Sequence, residues 1–285
     1  MPDVQRPDGA VIHYDTFGSG YPLLLIALGG VSSEARAWGR SAINPIEEFS
    51  DEFMVIAMDQ RHAGQSWNVP EHFSYDDSAR DQLAVLDDLG IDHAHVWGGC
   101  IGVGYLLRLI QEAPSRISAG VGQDPVGLDD TNTSETFWDM FRATINLAHQ
   151  SGTDAVVREA LTNSFFAEHN DGGPYAPRIE HDPEFRARVE AMSATEYETM
   201  IEAFAHAIWP ANPPYFTVDE ESVRACRPPL LILPGSDAFH PTSVAHKICA
   251  EAPTARCLDV DCRSDAKIGA TRSDIRDFLH AAAGD

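Results

Sequence analysis

Short apolar segments alternate with stretches of helical spacing along this chain, and that alternation constrains the fold more than any other feature. Segments of strand length lie at 22–28, 53–58, 93–97, 117–121, 229–234 and 255–260, and a weaker alternating one lies at 10–15. Helical patterns lie between or after them, at 35–49, 76–89, 242–252 and 268–282. Continuous apolar runs are expected for strands that helices cover on both faces. The pattern predicts an α/β fold, with a mostly parallel sheet flanked by helices.

The strand signals stop in the middle of the chain. Between about 128 and 223, helical patterns replace them at 134–149, 153–166 and 182–208, joined by polar turns rich in glycine and proline. The strand and helix alternation resumes at residue 229. We therefore predict a core domain made of 1–127 and 224–285, with a helical cap inserted at 128–223. A chain of 285 residues can bury one large core with such an insertion.

The charge balance excludes several classes of partner. Lys and Arg number 20 against 44 Asp and Glu, which gives a formal charge of −24 that repels nucleic acids and anionic membranes. No apolar run approaches the roughly 20 residues that a membrane span needs. The start of the chain, Met1 to Arg6, lacks the apolar centre of a signal peptide. We expect a cytoplasmic protein that acts on a small molecule, and the sequence leaves open whether it forms a homodimer.

The cysteines show no recognisable framework. The chain has five of them, at positions 100, 226, 249, 257 and 262. The odd count and the irregular spacing match neither a disulfide pattern nor a metal site. Cys257 and Cys262 flank a predicted strand, where small buried residues are expected. We predict no disulfide framework, no metal and no cofactor.

A sharp turn around Cys100 carries the main chemical signal. An apolar strand ends at Val96, the stretch Gly98-Gly99-Cys100-Ile101-Gly102 follows, and helical spacing begins directly after it. A residue at the apex of such a turn adopts a strained backbone, and side chains at 98 and 102 would collide with the neighbouring strand and helix. The N–H of Ile101 and the positive end of the helix would face an oxyanion and favour a thiolate. Cys100 is therefore the predicted nucleophile; the alternative is a small residue that merely fits the turn.

Together with that turn, three further stretches resemble motifs of the α/β-hydrolase superfamily that carries a helical cap: Gly29-Gly30-Val31, Asp59 to Ser66, and Pro234-Gly235-Ser236-Asp237. The resemblance covers the whole chain and implies the α/β-hydrolase fold. It also implies that the loops beyond the carboxyl ends of the strands converge on the site.

The resemblance assigns roles to matching residues. The backbone N–H of Val31 would be the second oxyanion donor beside Ile101, and Asp237 stands where the family has the acid of its triad. The stretch 59–66 is similar to a D-x-R-G-x-G-x-S loop in which His62 replaces the first glycine. The side chains of Asp59 and Arg61 would then be structural.

One element of the family pattern is missing. A histidine is expected about 28 residues after the acid, but 261–267 reads DCRSDAK. His240, three residues after Asp237, is the best candidate for a relocated base, and His62 is the second choice. His240 could instead be a loop histidine held by local hydrogen bonds. Because a thiol is partly ionised at neutral pH, a Cys–His pair can act where a serine would need a full triad.

Several assignments stay open. Asp124, just past a strand end, rivals Asp237 as the orienting carboxylate, and Asp237 could instead cap the helix near Thr242. Gly30, His62, Asp124 and Trp38 are candidates for supporting the site or contacting substrate. The following aromatic residues are predicted to pack in the cap or to line an apolar acyl pocket: Trp138, Phe141, Phe165, Phe166 and Trp209.

The predicted function is that of a cofactor-independent hydrolase, which cleaves an ester, thioester or lactone through an acyl group on Cys100. An acyltransferase that uses the same acyl-cysteine is the alternative. A small-molecule binding protein without catalysis, built on a hydrolase scaffold, is the third hypothesis, because the family histidine is missing.

Overall fold

The computed structural model describes residues 2–165, 170–258 and 265–283, with side chains from residue 269 onward in the last range. Eight strands lie within these ranges: β1 Asp3–Gln5, β2 Val11–Phe17, β3 Tyr21–Ile26, β4 Phe53–Met58, β5 Ala94–Gly99, β6 Ile117–Gln123, β7 Leu230–Leu233 and β8 Ala255–Cys257. They form one sheet in the order β1-β2-β4-β3-β5-β6-β7-β8. In this order, the five neighbouring pairs from β4–β3 to β7–β8 are parallel. The pairs β1–β2 and β2–β4 are antiparallel. The predicted α/β class with a mostly parallel sheet is confirmed.

The strand predictions differ from the structure mainly at the two edges of the sheet. β1 was not predicted, because it has three residues and only Val4 is buried. The segment predicted at 255–260 is a strand over Ala255–Cys257, and 259–260 lie outside the described residues. The central strands match because their apolar runs are long and buried on both faces.

The described helices are α1 Pro45–Phe49, α2 Tyr75–Asp88, α3 Ile101–Glu112, α4 Ser134–Trp138, α5 Arg142–Ser151, α6 Thr153–Thr162, α7 Ala176–His181, α8 Pro183–Glu190, α9 Ala194–Ile208, α10 Glu220–Arg224, α11 Thr242–Glu251 and α12 Asp265–Ala283. Three predicted helices are divided, and one of these, at 134–149, forms α4, the 3₁₀ helix Asp139–Phe141 and α5. The pattern at 35–49 forms a 3₁₀ helix, Ala35–Arg40, and α1, whose N-terminus is capped by Asn44 accepting from Ile46 N at 3.2 Å. The pattern at 182–208 divides at Ser193, which caps α9.

Helices cover both faces of the sheet, and alternate residues of a strand serve different cores. Leu24 of β3 packs in the larger apolar cluster, together with residues of α2 and α3. Leu25, the next residue, packs on the opposite face with Phe49 of α1 and Leu279 of α12. Both leucines are completely buried. Burial on both faces holds the ends of β3, β5, β6 and β7 in fixed positions, and the loops beyond them form the candidate site.

Helices α4 to α9 lie between β6 and β7 in the chain, and this segment contains no strand among its described residues. It is joined to the core by hydrogen bonds. Tyr75 Oη donates to Ile208 O at 2.5 Å, and Tyr175 Oη donates to Glu71 O at 3.1 Å. The bounds 128–223 for the cap stay a prediction.

The prediction that the cysteines form no disulfide is wrong. Cys249 near the end of α11 and Cys257 at the end of β8 are joined by a disulfide, with their Cα atoms 5.9 Å apart. The pairing depends on how α11 packs along β8, and a separation of eight residues does not reveal it. Cys226 is a free, buried thiol whose pKa is raised to about 11 by burial. Cys262 lies outside the described residues.

No helix in the described ranges is long and apolar enough to cross a bilayer.

Candidate active site

Cys100 lies at the apex of the turn between β5 and α3. Its backbone has φ 56° and ψ −118°, and its N–H donates to Gln123 O at 2.8 Å. A Cβ atom at Gly98 would lie 2.2 Å from Gly102 O, and one at Gly102 would lie 2.2 Å from Ile26 O. Both glycines are therefore required by the close approach of β3, β5 and α3. The turn holds a partly exposed thiol in a backbone conformation that L-residues rarely adopt.

The amino terminus of α3 begins directly after the thiol. Ile101 is the first residue of this helix, so its N–H has no acceptor within the helix. The positive end of the helix dipole lies beside Cys100 for the same reason. The geometry agrees with the oxyanion role predicted for Ile101, which stays a prediction.

His240 is fixed by the carboxylate of Asp237. His240 Nδ1 lies 2.6 Å from Asp237 Oδ1, which also accepts from the backbone N–H groups of Phe239 and His240 at 3.0 Å each. The other ring nitrogen, Nε2, is buried and makes no hydrogen bond of standard geometry to any described residue. Asp237 therefore sets the orientation of the imidazole and leaves Nε2 available.

The imidazole is electrostatically coupled to the cysteine. Burial by itself would lower the pKa of His240, but the charge of the Cys100 sulfur and the hydrogen bond that the ring donates to Asp237 raise this pKa to about 10. Both side chains line the same cavity. The structure brings the predicted nucleophile and the relocated base together.

The loop after β3 forms one wall beside Cys100. Gly29 and Gly30 have φ 117° and 60°, and both line the cavity together with Leu28. A Cβ atom at Gly29 would lie 2.7 Å from Ser32 O, so the tight turn requires a glycine there. Val31 is buried and is not among the residues that line the cavity. Gly30 lines the cavity and Val31 does not, and the oxyanion role of Val31 stays a prediction.

The loop 59–66 is stabilised by its own charged groups. Asp59 accepts from Ala35 N and Gln65 N, both at 2.8 Å. Arg61 Nε donates to Asp81 Oδ2 at 2.6 Å. These contacts join the loop to α2 and to the 3₁₀ helix after β3, as the predicted structural role requires.

His62 does not reach Cys100. Its side chain packs among the rings of Phe73, Tyr175 and Phe204, with centroids 5.2 to 6.2 Å away. Burial is the main cause that lowers the pKa of His62 to about 3, and the charge of Arg61 lowers it further. The residue lines neither of the cavities that contain Cys100. The structure does not bring His62 together with Cys100, because Phe73, Tyr175 and Phe204 enclose its ring, and its role as second-choice base stays a prediction.

Asp124 and Trp38 lie close to the site in supporting positions. Asp124 has φ 49° and donates its N–H to Leu233 O at 2.9 Å. The hydrogen bond between His240 and Asp237 favours Asp237 as the orienting acid. The ring of Trp38 lies against Gly99, where a Cβ atom would be 3.1 Å from it, and packs edge-on to Trp97. Trp38 thus packs against the turn from the face of the sheet that also buries Leu25 and Phe49.

Two cavities meet at Cys100. The first, which we call the apolar cavity, has a volume of about 500 Å³. Its apolar side chains, apart from that of Leu28, are Val126, Phe137, Met140, Phe165, Trp209 and Phe239. Leu28, Gly29, Gly30, Arg40, Cys100 and His240 complete its wall. Of the aromatic residues predicted to pack in the cap or to line an acyl pocket, Phe165 and Trp209 line this cavity, Trp138 and Phe141 do not, and Phe166 lies outside the described residues.

The second, which we call the polar cavity, has a volume of about 410 Å³ and shares Leu28, Arg40, Cys100 and His240 with the first. Its other lining residues are Ser41, Ala42, Gly99, Gln123 and Asp124. Sequence reasoning missed Arg40 and Gln123, because no motif marks them and only the fold brings them to Cys100. In the described part of the chain, no group of three or more His, Cys, Asp or Glu side chains is placed to hold a metal ion.

Comparison with known proteins shows which family this chain resembles. A family model described as alpha/beta hydrolase fold matches residues 24–204. Rhodomycin D methylesterase DauP from Streptomyces sp. (strain C5) is 28% identical over 264 residues, which cover 84% of this chain and 83% of the methylesterase.

Solved structures share the fold over nearly the whole chain. A meta-cleavage product hydrolase from Pseudomonas fluorescens IP01 matches with a TM-score of 0.65 at 18% identity, covering 99% of this chain and 98% of that one. The enol-lactonase from Burkholderia xenovorans LB400 matches with a TM-score of 0.63 at 17% identity, covering 98% of this chain and 100% of that one. The family model spans well over half of the 285 residues, and this chain belongs to the α/β-hydrolase fold family.

Proposed function

We propose that this chain is a cofactor-independent hydrolase that cleaves an ester, thioester or lactone through an acyl intermediate on Cys100. One observation carries the proposal. Cys100, at the apex of the turn, shares a cavity with His240. Nδ1 of that imidazole lies 2.6 Å from Asp237 Oδ1. A nucleophile, a base and an orienting acid are the groups that covalent acyl transfer requires. Similarity to a methylesterase supports the same class of reaction.

The arrangement defines an order of steps. The thiolate of Cys100, beside the His240 imidazolium, attacks the carbonyl carbon, and the carbonyl oxygen takes up the negative charge. The Ile101 N–H and an N–H of the 29–31 loop would bind that oxyanion. As the tetrahedral intermediate collapses, the bond to the leaving oxygen or sulfur breaks, and His240 Nε2 gives its proton to the leaving atom.

The second half returns the enzyme to its starting state. Water attacks the carbonyl carbon of the acyl thioester and loses a proton to His240 Nε2. The C–S bond breaks, the acid is released, and the thiolate and imidazolium are restored. The raised pKa of His240 supports this scheme, because a proton on Nε2 is available for the leaving group at neutral pH.

The apolar cavity sets the size of the acyl group. Its volume of about 500 Å³ and its aromatic lining from Phe137, Phe165 and Trp209 suit a hydrocarbon or aromatic acyl group. Apolar walls also limit the access of water before the acyl thioester has formed.

The experiment is acylation by an activated ester, followed by intact-protein mass spectrometry. Wild-type protein should gain one acyl mass, and Cys100→Ala should gain none. Cys226→Ala is the matched control, because Cys226 is the other free cysteine of the described residues and is buried away from both cavities. Equal labelling of Cys100→Ala and wild type would refute the assignment of the nucleophile.

Acyl transfer is a second candidate, which the polar cavity favours. An alcohol or amine bound in that space would lie next to the acyl thioester on Cys100. Added acceptors should then divert the acyl group from the free acid to an ester or amide. Product that stays entirely as free acid at saturating acceptor would exclude transfer.

A further inference from the structure

The polar cavity is built differently from the apolar cavity, although Cys100 and His240 form part of both. The residues that belong to it alone include Ser41, Gln123 and Asp124. The apolar cavity instead has six apolar side chains that the polar cavity does not share, from the cap and the neighbouring loops. A substrate whose carbonyl lies at Cys100 would therefore extend an apolar part into one space and a polar part into the other.

Arg40 is the cation at the junction of the two cavities. It ends the 3₁₀ helix after β3, and its guanidinium lies over the ring of Phe165, 4.8 Å from the centroid. No carboxylate of the described residues forms an ion pair with it. Arg36, on the same 3₁₀ helix and also over Phe165, pairs with Glu34. In a chain with 44 acidic and 20 basic residues, an arginine that lines the cavity of Cys100 and has no carboxylate partner among the described residues is a candidate anion-binding group.

Gln123 adds an unpaired acceptor to the same wall. The residue is 3% exposed, and its Nε2 donates to Ser41 Oγ at 2.8 Å. Its Oε1 is buried and accepts no hydrogen bond from a described residue. A buried acceptor without a donor destabilises the folded chain. The wall is therefore polar, but a carboxylate only accepts hydrogen bonds, so its partner in this cavity would be Arg40 and not Gln123 Oε1.

Asp124 determines which end of the polar cavity an anionic group would occupy. Its carboxylate is the only acidic group among the described residues that line the polar cavity, and it already interacts with other groups of the protein. An anionic group would be repelled by Asp124 and attracted by Arg40, so the two residues fix which end of the cavity it occupies.

We propose that the polar cavity binds the leaving group of the acyl substrate, and that this leaving group carries a carboxylate that pairs with Arg40. This inference rests on the proposed acyl-enzyme function and specifies the substrate class of the same site. The substrate is then an apolar acyl group joined to a hydroxy or thiol acid.

Three esters test the proposal. The first is the butanoyl ester of para-hydroxybenzoate, which places the carboxylate on the leaving group. The second is the butanoyl ester of para-hydroxybenzamide, which has the same shape without the charge. The third is the succinyl ester of para-hydroxybenzamide, which places a carboxylate on the acyl side. We expect kcat/KM to be about tenfold higher for the first ester than for the other two.

Two arginine variants identify the responsible group. Arg40→Met keeps an apolar stem over Phe165 and should bring the ratio of kcat/KM between the first and second esters close to one. Arg36→Met is the matched control, because it removes one positive charge from the same 3₁₀ helix and from the same ring, and should preserve the ratio.

The outcomes separate this inference from the proposed function. If the neutral ester acylates Cys100 and the wild type shows no preference, only the carboxylate assignment is wrong. A preference for the succinyl ester, or a ratio that survives in Arg40→Met, overturns it as well. If none of the three esters labels Cys100, the acyl-enzyme function fails, and this inference fails with it.

Discussion

Two histidines follow parallel strands on opposite sides of the site, and their surroundings give them opposite chemistry. His62, in the loop after β4, is 5% exposed and is enclosed by aromatic rings, which lower its pKa to about 3. The side chain of His240, in the loop after β7, is 14% exposed, yet its pKa is raised to about 10. Burial opposes protonation of both rings. The charges of Cys100 and Asp237 reverse the result for His240, so neighbouring charge decides which buried imidazole carries a proton.

The largest difference in acylation rate should appear when each of the two histidines is substituted in turn. We expect His240→Gln to slow acylation of Cys100 by about 10²- to 10⁴-fold, since it removes the proton donor and acceptor. His62→Asn should leave acylation within a few-fold, because asparagine tolerates the positive φ of 74° at that position. Single-turnover acylation rates measure both. A larger loss in His62→Asn than in His240→Gln would reverse the contrast.

A second comparison concerns the two carboxylates. We expect Asp237→Asn to slow acylation by roughly 100-fold, because the amide no longer stabilises the His240 imidazolium. Asp124→Asn is the matched control and should have a smaller effect on the same rate. If Asp124→Asn caused the greater loss, Asp124 would be the orienting acid and Asp237 a turn residue.

The pH dependence of stability should differ in sign between the two rings. The folded-state pKa of His240, about 10, lies above the ordinary value of 6.5, so its contribution is fully present below about pH 6.5 and is lost as the pH rises through about 10. The pKa of His62, about 3, lies below that value, so its contribution is present above pH 6.5 and is lost as the pH falls toward 3. Urea unfolding across this range measures both contributions. The alkaline loss should shrink in His240→Gln, and the acid loss should shrink in His62→Asn; the opposite pattern would contradict the assigned shifts.

Removing the disulfide near the His240 loop should have the smallest effect on the acylation rate. His240 lies two residues before α11, whose Cys249 is bonded to Cys257 of β8. Replacing both cysteines by serine should lower the free energy of unfolding by about 2–3 kcal/mol through loop closure, with little change in the acylation rate. Thermal unfolding and single-turnover kinetics separate the two readouts. A loss of acylation comparable to that of Asp237→Asn would mean that the bond positions His240.

Much of the fold could be predicted because its information is local. Long apolar runs mark β3 and β4, and the glycines around Cys100 mark the turn between β5 and α3. β1 has only one buried residue, so no pattern marks it. The division of the predicted helix at 35–49 depends on Pro45, whose ring prevents a hydrogen bond within a continuous helix.

The site was predictable where its parts share one short segment. Asp237 and His240 are three residues apart, and the sequence alone indicated that they could act together. The enclosure of His62 depends on Phe73, Tyr175 and Phe204, which are far apart in the chain, so its low pKa could not be predicted. Arg40 and Gln123 were missed for the same reason, since only the packing of the loops after β3 and β6 brings them to one cavity.

The placement of Asp237 and His240 on a single turn has a consequence for how this scaffold can be altered. An acid and a base that are held by one tetrapeptide need no alignment between distant parts of the polypeptide. Under the proposed mechanism, the D-x-x-H unit could be moved as a block behind β7 of another member of the fold, without a matching change elsewhere in the chain.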